Sequence, residues 1–193
     1  MEFLDKRTIK MDKELNELDK FVVRFIKILE KHAEYVIISG YVSILLGRAR
    51  GTEDVDIFIK ELSKNELIKL YKDLIKNGYW CLNSDDENEI YDYLNNKLAV
   101  RFALKNEIIP NFEIKFAKKM LSLESFKDTI NVITPEGRLK ISSLERQIAF
   151  KKYYLKSDKD LEDARHIEEL FKDEIDYKKV NIYKKLIEEH EKS

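Results

Sequence analysis

Two aspartates separated by one residue are the part of this sequence best suited to chemistry. Asp54 and Asp56 flank Val55 in a segment whose apolar and polar residues alternate as in a strand. In a strand, both carboxylates leave the same face, about 7 Å apart along the chain. Like charges at that spacing repel each other, whereas Mg²⁺ prefers carboxylate oxygens and neutralises them. The pair predicts a divalent-metal site, and a solvated strand edge is the alternative.

A third carboxylate on a neighbouring strand would complete a two-metal site. Glu113 is the candidate, because residues 111–116 alternate apolar and polar side chains and place it on the polar face with Lys115. In such a site one ion activates the attacking oxygen and the other stabilises the leaving pyrophosphate. We predict that Glu113 binds the ion that activates the attacking oxygen and helps to remove the proton from that oxygen. The alternative is that Glu113 is an ordinary exposed strand residue.

Upstream of the aspartates, the apolar run at residues 35–38 ends in Ser39 and Gly40. A strand that ends in small residues and opens a helix directs backbone N–H groups outward, where they can hold a phosphate. In the following loop, Arg50 can reach triphosphate oxygens in a bidentate manner or form a surface salt bridge. Thr52 is a further nucleotide-binding candidate, or it only starts the strand.

Lysines in the C-terminal part are further candidates for phosphate contacts. Lys159 stands near Asp160 and Asp163 at a predicted helix start, where the helix dipole alone would favour the two acids. Lys152 lies one helix earlier and is equally consistent with a solvated side chain. We retain Lys152 and Lys159 as nucleotide-binding candidates.

These residues resemble the DNA polymerase beta-like nucleotidyltransferase superfamily, and more narrowly its small abortive-infection-toxin-like proteins of the AbiEii type. The resemblance covers roughly residues 35–170 and departs from the usual pattern at Ser39, where the family generally has glycine. It implies a metal-dependent transferase that uses Mg²⁺ or Mn²⁺ and moves a nucleoside monophosphate from an NTP to an acceptor. The motifs that carry it are Gly40-Tyr41, Leu46-Gly47, Arg50-Gly-Thr52, Asp54-Val-Asp56, Ser143-Leu-Glu145, Lys151-Lys152 and the segment from Lys159 to Asp163.

The acceptor stays open between an RNA, possibly a tRNA, a protein hydroxyl and a small molecule. Lys and Arg (36) nearly balance Asp and Glu (37), which weakens the case for RNA without excluding it. A second hypothesis is a catalytically inactive nucleotide-binding or partner-binding module, such as an antitoxin-like subunit with a partner protein. That module would bind nucleotide without turnover.

Composition limits the number of domains, the possible disulfides and the expected cellular compartment of this protein. With 193 residues, 44% of them hydrophobic, we expect one compact unit. Cys81 is the single cysteine and cannot form an internal disulfide. There is no apolar run of about 18 residues and no signal-peptide pattern at the N-terminus, so we expect a cytoplasmic protein without membrane contact.

Hydrophobic periodicity predicts an α/β (α+β) fold, with a small mixed sheet, flanking helices and a C-terminal helical segment. A capping box at Ser63 and Glu66 marks one helix start. We expect residues 1–141 to form the nucleotidyltransferase core with an N-terminal helix, and residues 142–193 to pack on it as helices. The predicted helices span residues 12–31, 42–46, 63–78 and 86–94 and begin again at Ser143, at a cap on Asp158 and at Asp176. The predicted strands span residues 35–38, 55–59, 79–82, 98–104 and 111–116, with a hairpin at 129–133 and 139–141.

Overall fold

The apolar, β-branched segments of the chain assemble into one mixed sheet. A computed structural model describes residues 1–191, and nine strands lie in the order β1-β2-β8-β9-β3-β4-β7-β6-β5. The strands are β1 (Glu2–Asp5), β2 (Thr8–Lys10), β3 (Tyr35–Ile37), β4 (Asp54–Ile59), β5 (Tyr79–Cys81), β6 (Val100–Leu104), β7 (Asn111–Phe116), β8 (Ile130–Thr134) and β9 (Gly137–Ile141). The predicted α/β class is confirmed.

The sheet is larger than the small sheet predicted, because the N-terminal residues extend it. β1 pairs with β2, and β2 lies parallel to β8, with Ile9 opposite Val132. Ile9 is fully buried, but its strand neighbours Thr8 and Lys10 are polar and the strand has only three residues. So short a pattern gives little periodic signal in the sequence.

Helices cover the sheet and form the C-terminal part of the described chain. They are α1 (Glu17–Leu29), α2 (Gly40–Leu45), α3 (Lys64–Lys76), α4 (Glu87–Asn95), α5 (Met120–Glu124), α6 (Leu144–Phe150), α7 (Asp158–Leu170) and α8 (Tyr177–Glu191). A π-helical turn, Lys151–Leu155, continues α6. Within residues 1–191, no helix combines the length and the apolar character needed to cross a membrane.

Side-chain caps set several helix starts. The predicted capping box of α3 is confirmed, since Ser63 accepts from the Glu66 N–H and Glu66 accepts from the Ser63 N–H. The predicted start of α1 at residue 12 is wrong, because Asn16 accepts the Asp19 N–H at 2.8 Å and begins the helix there. The predicted cap on Asp158 is also wrong: Ser157 accepts the Asp160 N–H and Asp158 is the first helical residue.

The centre of the sheet fixes which residues face each other. β4 is antiparallel to β3 and parallel to β7, and Asp56 lies directly opposite Glu113. Val55, Ile57 and Ile59 are buried on the other face of β4, as its alternation predicts. Packing therefore fixes the strand register, which in turn fixes the position of each carboxylate.

Aromatic packing holds β7 on the core side. Phe112 is fully buried and stacks on Phe25 and Phe21 of α1, with ring centroids 3.7 Å and 4.4 Å apart. Since side chains alternate along a strand, burying Phe112 directs Glu113 to the opposite face. The helix α1 thus determines on which side of the sheet this acid appears.

Candidate active site

Asp54 and Asp56 lie half-buried on one face of β4 without a cationic partner. Among residues 1–191, no lysine, arginine or histidine forms an ion pair with either of them. Burial raises the pKa of Asp56 to about 6, and the negative charges of Asp54 and Glu113 add to that rise. The charge of Lys115 and a hydrogen bond from the Ser39 hydroxyl oppose it. The two aspartates therefore form a site with excess negative charge.

Glu113 is close enough to act on Asp56, but its own carboxylate is occupied. Arg101 of β6 donates to Oε2 at 2.8 Å, and Lys115 forms an ion pair with Oε1. Burial raises the pKa of Glu113, but Lys115 and Arg101 outweigh it and leave that pKa below its ordinary value. Within the described part of the chain, no three His, Cys, Asp or Glu side chains are gathered as a ready metal site.

The donor chemistry of the aspartate pair fits a divalent ion. Two hard carboxylate ligands share one face, lack a cationic partner and repel each other. Glu113 fits as a third ligand once it exchanges one of its two cationic partners for the ion. Arg101 is 52% exposed and Lys115 39% exposed, so each has solvent into which its side chain can move.

The turn before α2 brings Ser39 and Gly40 to this face. Ser39 has φ 65° and ψ −141°, a backbone conformation that favours glycine. Its hydroxyl donates to Asp56, and the amide of Gln147 accepts its N–H at 3.2 Å and donates to its carbonyl oxygen at 3.3 Å. The Ser39 N–H is thus already used inside the protein. Serine tolerates the strained turn because contacts on both sides hold it.

We expect Ser39→Gly to raise the free energy of unfolding by about 1 kcal/mol. A strained backbone costs on the order of 1–3 kcal/mol, and glycine relieves this strain. Glycine also loses more conformational entropy on folding, which cancels part of the gain. Thermal denaturation measures this as a rise in Tm of about 2–4 °C. Ser39→Ala is the matched control, since it removes the same hydroxyl but keeps the Cβ. A Tm for Ser39→Gly at or below that of Ser39→Ala would contradict the strain.

Gly40 and Arg50 are in direct contact. A Cβ added at Gly40 would lie 3.0 Å from Nη2 of Arg50, so the guanidinium packs on the bare α-carbon. Nη1 of Arg50 donates to Asp163 at 2.7 Å. Arg50 thus links the turn to α7, because its guanidinium forms an ion pair with Asp163. Thr52 donates to the carbonyl oxygen of Asp54 at 2.9 Å and supports the entry into β4.

A buried acid, Asp163, pairs with three cations from two parts of the chain. It is fully buried and is paired with Arg48, Arg50 and Lys151, the last at 2.7 Å with only 1% of its side chain exposed. Burial raises the pKa of Asp163, but the hydrogen bond and charge of Lys151, with those of Arg48 and Arg50, bring it below its ordinary value. Sequence reasoning missed Lys151 as a site residue, although Leu144, Ile148 and Lys151 follow helical spacing on one face.

Within residues 1–191, the two predicted lysines form no ion pair with Asp54, Asp56 or Glu113. Lys152 pairs with Glu168 of α7 at 2.6 Å. Lys159 is exposed, and its backbone carbonyl oxygen accepts from Arg48 at 3.0 Å. Neither lysine lines the cleft described next, whereas Lys151 does.

A cleft of about 400 Å³ opens beside Asp56. Ser39, Asp56 and Lys151 are among its lining residues, and Asp54 and Glu113 lie outside the lining. The other lining side chains are mainly cationic or apolar, among them Lys97, Lys115, Lys118, Lys119, Arg146, Leu121, Phe150, Tyr154 and Leu155. Its volume is in the range of small-ligand sites. The cationic cleft can therefore hold an anionic ligand next to the carboxylate of Asp56.

The raised pKa of Asp56 predicts how stability depends on pH when divalent ions are absent. The folded state holds this proton more tightly than the unfolded chain, whose aspartate titrates near 3.8. The contribution to stability is therefore complete below about pH 4 and is lost as the pH rises through about 6. Relative to Asp56→Asn, we expect the wild-type protein in chelator to lose about 2 kcal/mol between about pH 4 and pH 7. Urea denaturation at each pH measures the free energy of unfolding of both proteins. The same pH dependence in the two proteins would contradict this prediction.

Two solved structures resemble the chain over most of their length. The solution structure of antibiotic-resistance factor ANT(2'')-Ia is 16% identical with a TM-score of 0.52, and the match covers 89% of this chain and 94% of that chain. The crystal structure of an antigenic nucleotidyltransferase-like protein from Paracoccidioides brasiliensis is 17% identical with a TM-score of 0.51, and the match covers 85% of this chain and 84% of that one. The sequence matches no protein-family model and no curated protein. At these identities the likeness shows the fold alone, and that fold is the predicted nucleotidyltransferase fold.

Proposed function

We propose that this protein is a metal-dependent nucleotidyltransferase that moves a nucleoside monophosphate from an NTP to an acceptor hydroxyl and releases pyrophosphate. One observation carries the proposal. Asp54 and Asp56 lie unpaired on one strand face, beside a strained turn and at the edge of a cationic cleft. The shared fold with a nucleotidyltransferase-like protein supports the same reaction class.

Asp54 and Asp56 would hold the metal ions, with Glu113 as the third ligand. When bound, Mg²⁺ or Mn²⁺ supplies positive charge at the attacking oxygen and at the leaving pyrophosphate. The Ser39 hydroxyl orients the Asp56 carboxylate through its hydrogen bond. The helix α2 begins at Gly40, directly after Ser39, and phosphate charge is favourable at the N–H groups of a helix start.

The transfer makes one P–O bond and breaks another. The acceptor hydroxyl oxygen attacks the α-phosphorus, and the bond from that phosphorus to the bridging oxygen of the β-phosphate breaks. Pyrophosphate leaves with the electron pair. The acceptor proton passes to a carboxylate oxygen of Glu113 and then to solvent. The lowered pKa of Glu113 makes it a weak base, so it favours the release of this proton to solvent and not its uptake.

Arg50, Thr52, Lys152 and Lys159 remain our candidates for nucleotide contacts, and Lys151 joins them. Lys151 lines the cleft, but both Lys151 and Arg50 reach phosphate only by leaving Asp163. An ion pair can be exchanged in this way because a triphosphate offers the guanidinium the same bidentate geometry as a carboxylate. For the acceptor we keep RNA, including tRNA, a protein hydroxyl and a small molecule.

We also propose that residues 1–141 form the catalytic core and that the segment 142–193, of which the structure describes residues 142–191, closes on it as helices. The ion pairs of Arg48 and Arg50 with Asp163 support the packing of the helical segment on the core, since they join the loop before β4 to α7. The contacts of Gln147 with the Ser39 backbone provide a second connection. The helical segment would thereby hold the nucleotide-binding turn in place.

A second candidate function is that of a catalytically inactive nucleotide- or partner-binding module, such as an antitoxin-like subunit. The ion pairs of Glu113 with Arg101 and Lys115 favour it, because they occupy the third predicted metal ligand. Such a protein would bind NTP and leave it intact. Turnover therefore separates the two functions.

Incubation with each α-labelled NTP tests the proposal and identifies the acceptor class. The protein is mixed with Mg²⁺ or Mn²⁺ and a cell lysate, and the label is then separated into RNA, protein and small-molecule fractions. The proposal predicts label in one fraction, dependent on metal. Bound but unchanged NTP, with no labelled fraction for any nucleotide, would support the inactive module instead.

A further inference from the structure

The π-helical turn after α6 presents large side chains to the cleft. Tyr154 and Leu155 are each 45% exposed, and both line the cleft that contains Ser39 and Asp56. The same turn directs Lys151 inward to Asp163, so one turn contributes both a buried cation and an exposed aromatic ring. Turns of this kind are rare and occur often at functional sites.

We propose that Tyr154 and Leu155 form the platform on which the base of the bound NTP stacks. This inference rests on the proposed function and divides the cleft lining by its chemistry. Its cationic side chains, among them Lys115 and Arg146, suit phosphate, and the exposed apolar surface of Tyr154 and Leu155 suits a nucleobase. Stacking of a base on an aromatic side chain is worth on the order of 1–3 kcal/mol.

The surroundings of Tyr154 leave its ring available. Phe150 supports it from inside, with ring centroids 5.8 Å apart and planes tilted by 59°. Within residues 1–191, the Tyr154 hydroxyl has no hydrogen-bond partner. A large aromatic side chain that is half exposed and supported on one side can accept a base without rearrangement.

Recognition of the base at Tyr154 and Leu155 depends more on stacking than on hydrogen bonds to the edge of the base. The serine side chains of the cleft already use their hydroxyl donors within the protein. Ser122 donates to the Lys119 carbonyl oxygen at 2.8 Å, and Ser125 donates to the Ser122 carbonyl oxygen at 2.5 Å. Every base has a π-face, so stacking tolerates all four. We expect all four NTPs to bind, with purines tighter because their rings cover more area.

Binding measurements with and without a base test the platform. Calorimetry compares the Mg²⁺ complex of α,β-methylene-ATP, which cannot undergo transfer, with inorganic tripolyphosphate. For Tyr154→Ala we expect the affinity for the ATP analogue to fall about 5- to 150-fold while the tripolyphosphate affinity stays constant. Tyr154→Phe should bind as the wild type does. Tyr177→Ala is the matched control, because Tyr177 is 50% exposed and lies outside the cleft lining.

The outcomes separate this inference from the proposed function. If the wild type binds the ATP analogue and Tyr154→Ala binds it equally well, the platform is wrong and the proposed function stands. Equal losses for the analogue and tripolyphosphate also overturn the platform, since the base would then play no part. A wild type that binds neither ligand contradicts both proposals.

Discussion

Asp56→Asn lowers the rate of nucleotide transfer by about 10³-fold or more, equivalent to about 4 kcal/mol of transition-state stabilisation. Asp56 faces Glu113, follows Asp54 on the same strand face and accepts from Ser39, so it is central to the acidic site. Asparagine keeps the shape but removes the charge that holds a divalent ion. Initial rates at saturating NTP, measured over a range of Mg²⁺ concentrations, give the size of the loss.

The fold of this variant should remain intact. Removing a charge that burial and neighbouring acids already disfavour does not destabilise the protein at neutral pH. Asp12→Asn is a matched control, because the Asp12 side chain is 68% exposed and its pairing with Lys10 lies on the surface. Wild-type rates in Asp56→Asn, with an unchanged dependence on metal, would remove Asp56 from the site.

Asp163→Asn lowers the free energy of unfolding by about 3–5 kcal/mol. The Asp163 side chain is fully buried, and Lys151, with 1% of its side chain exposed, depends on it at 2.7 Å. Loss of the acid leaves Lys151 with Asp160 at 3.6 Å and removes a shared partner of Arg48 and Arg50. An uncompensated buried charge is the main cost, and we expect Tm to fall by on the order of 10 °C.

Glu162 provides the neighbouring control for this prediction. It also pairs with Arg48, but its side chain is 54% exposed, so Glu162→Gln should change stability by less than about 1 kcal/mol. The double variant Asp163→Asn with Lys151→Met should recover part of the loss, because it removes the buried charge of Lys151. Equal Tm values for Asp163→Asn and Glu162→Gln would show that the buried cluster does not stabilise the fold.

The central part of the fold was predictable because its signals are local. β4 has strict alternation, α3 carries a capping box, and the hairpin of β8 and β9 has a turn between two apolar runs. Each pattern reflects contacts within a few residues or a single buried face. The N-terminal strands were missed for the opposite reason, since β2 becomes a strand only through its pairing with β8.

The environments of the candidate site residues depend on contacts between distant residues. The sequence places Glu113 beside Lys115 but does not indicate that Arg101, on the next strand, binds the same carboxylate. Arg50 and Asp163 are 113 residues apart, and only the fold brings them together. Lys151 and Lys152 are adjacent in sequence, and the helical phase after Ile148 decides which one is buried. Helical periodicity would have favoured Lys151.

A paired labelling measurement tests the central claim most directly. Once an acceptor is identified, the protein is incubated with it, Mg²⁺ and the same NTP labelled either at the α-phosphate or at the γ-phosphate. Nucleotidyl transfer predicts that the α-label enters the acceptor, while the γ-label appears only in pyrophosphate, in equal molar amounts. Entry of the γ-label into the acceptor would show phosphoryl transfer and contradict the account.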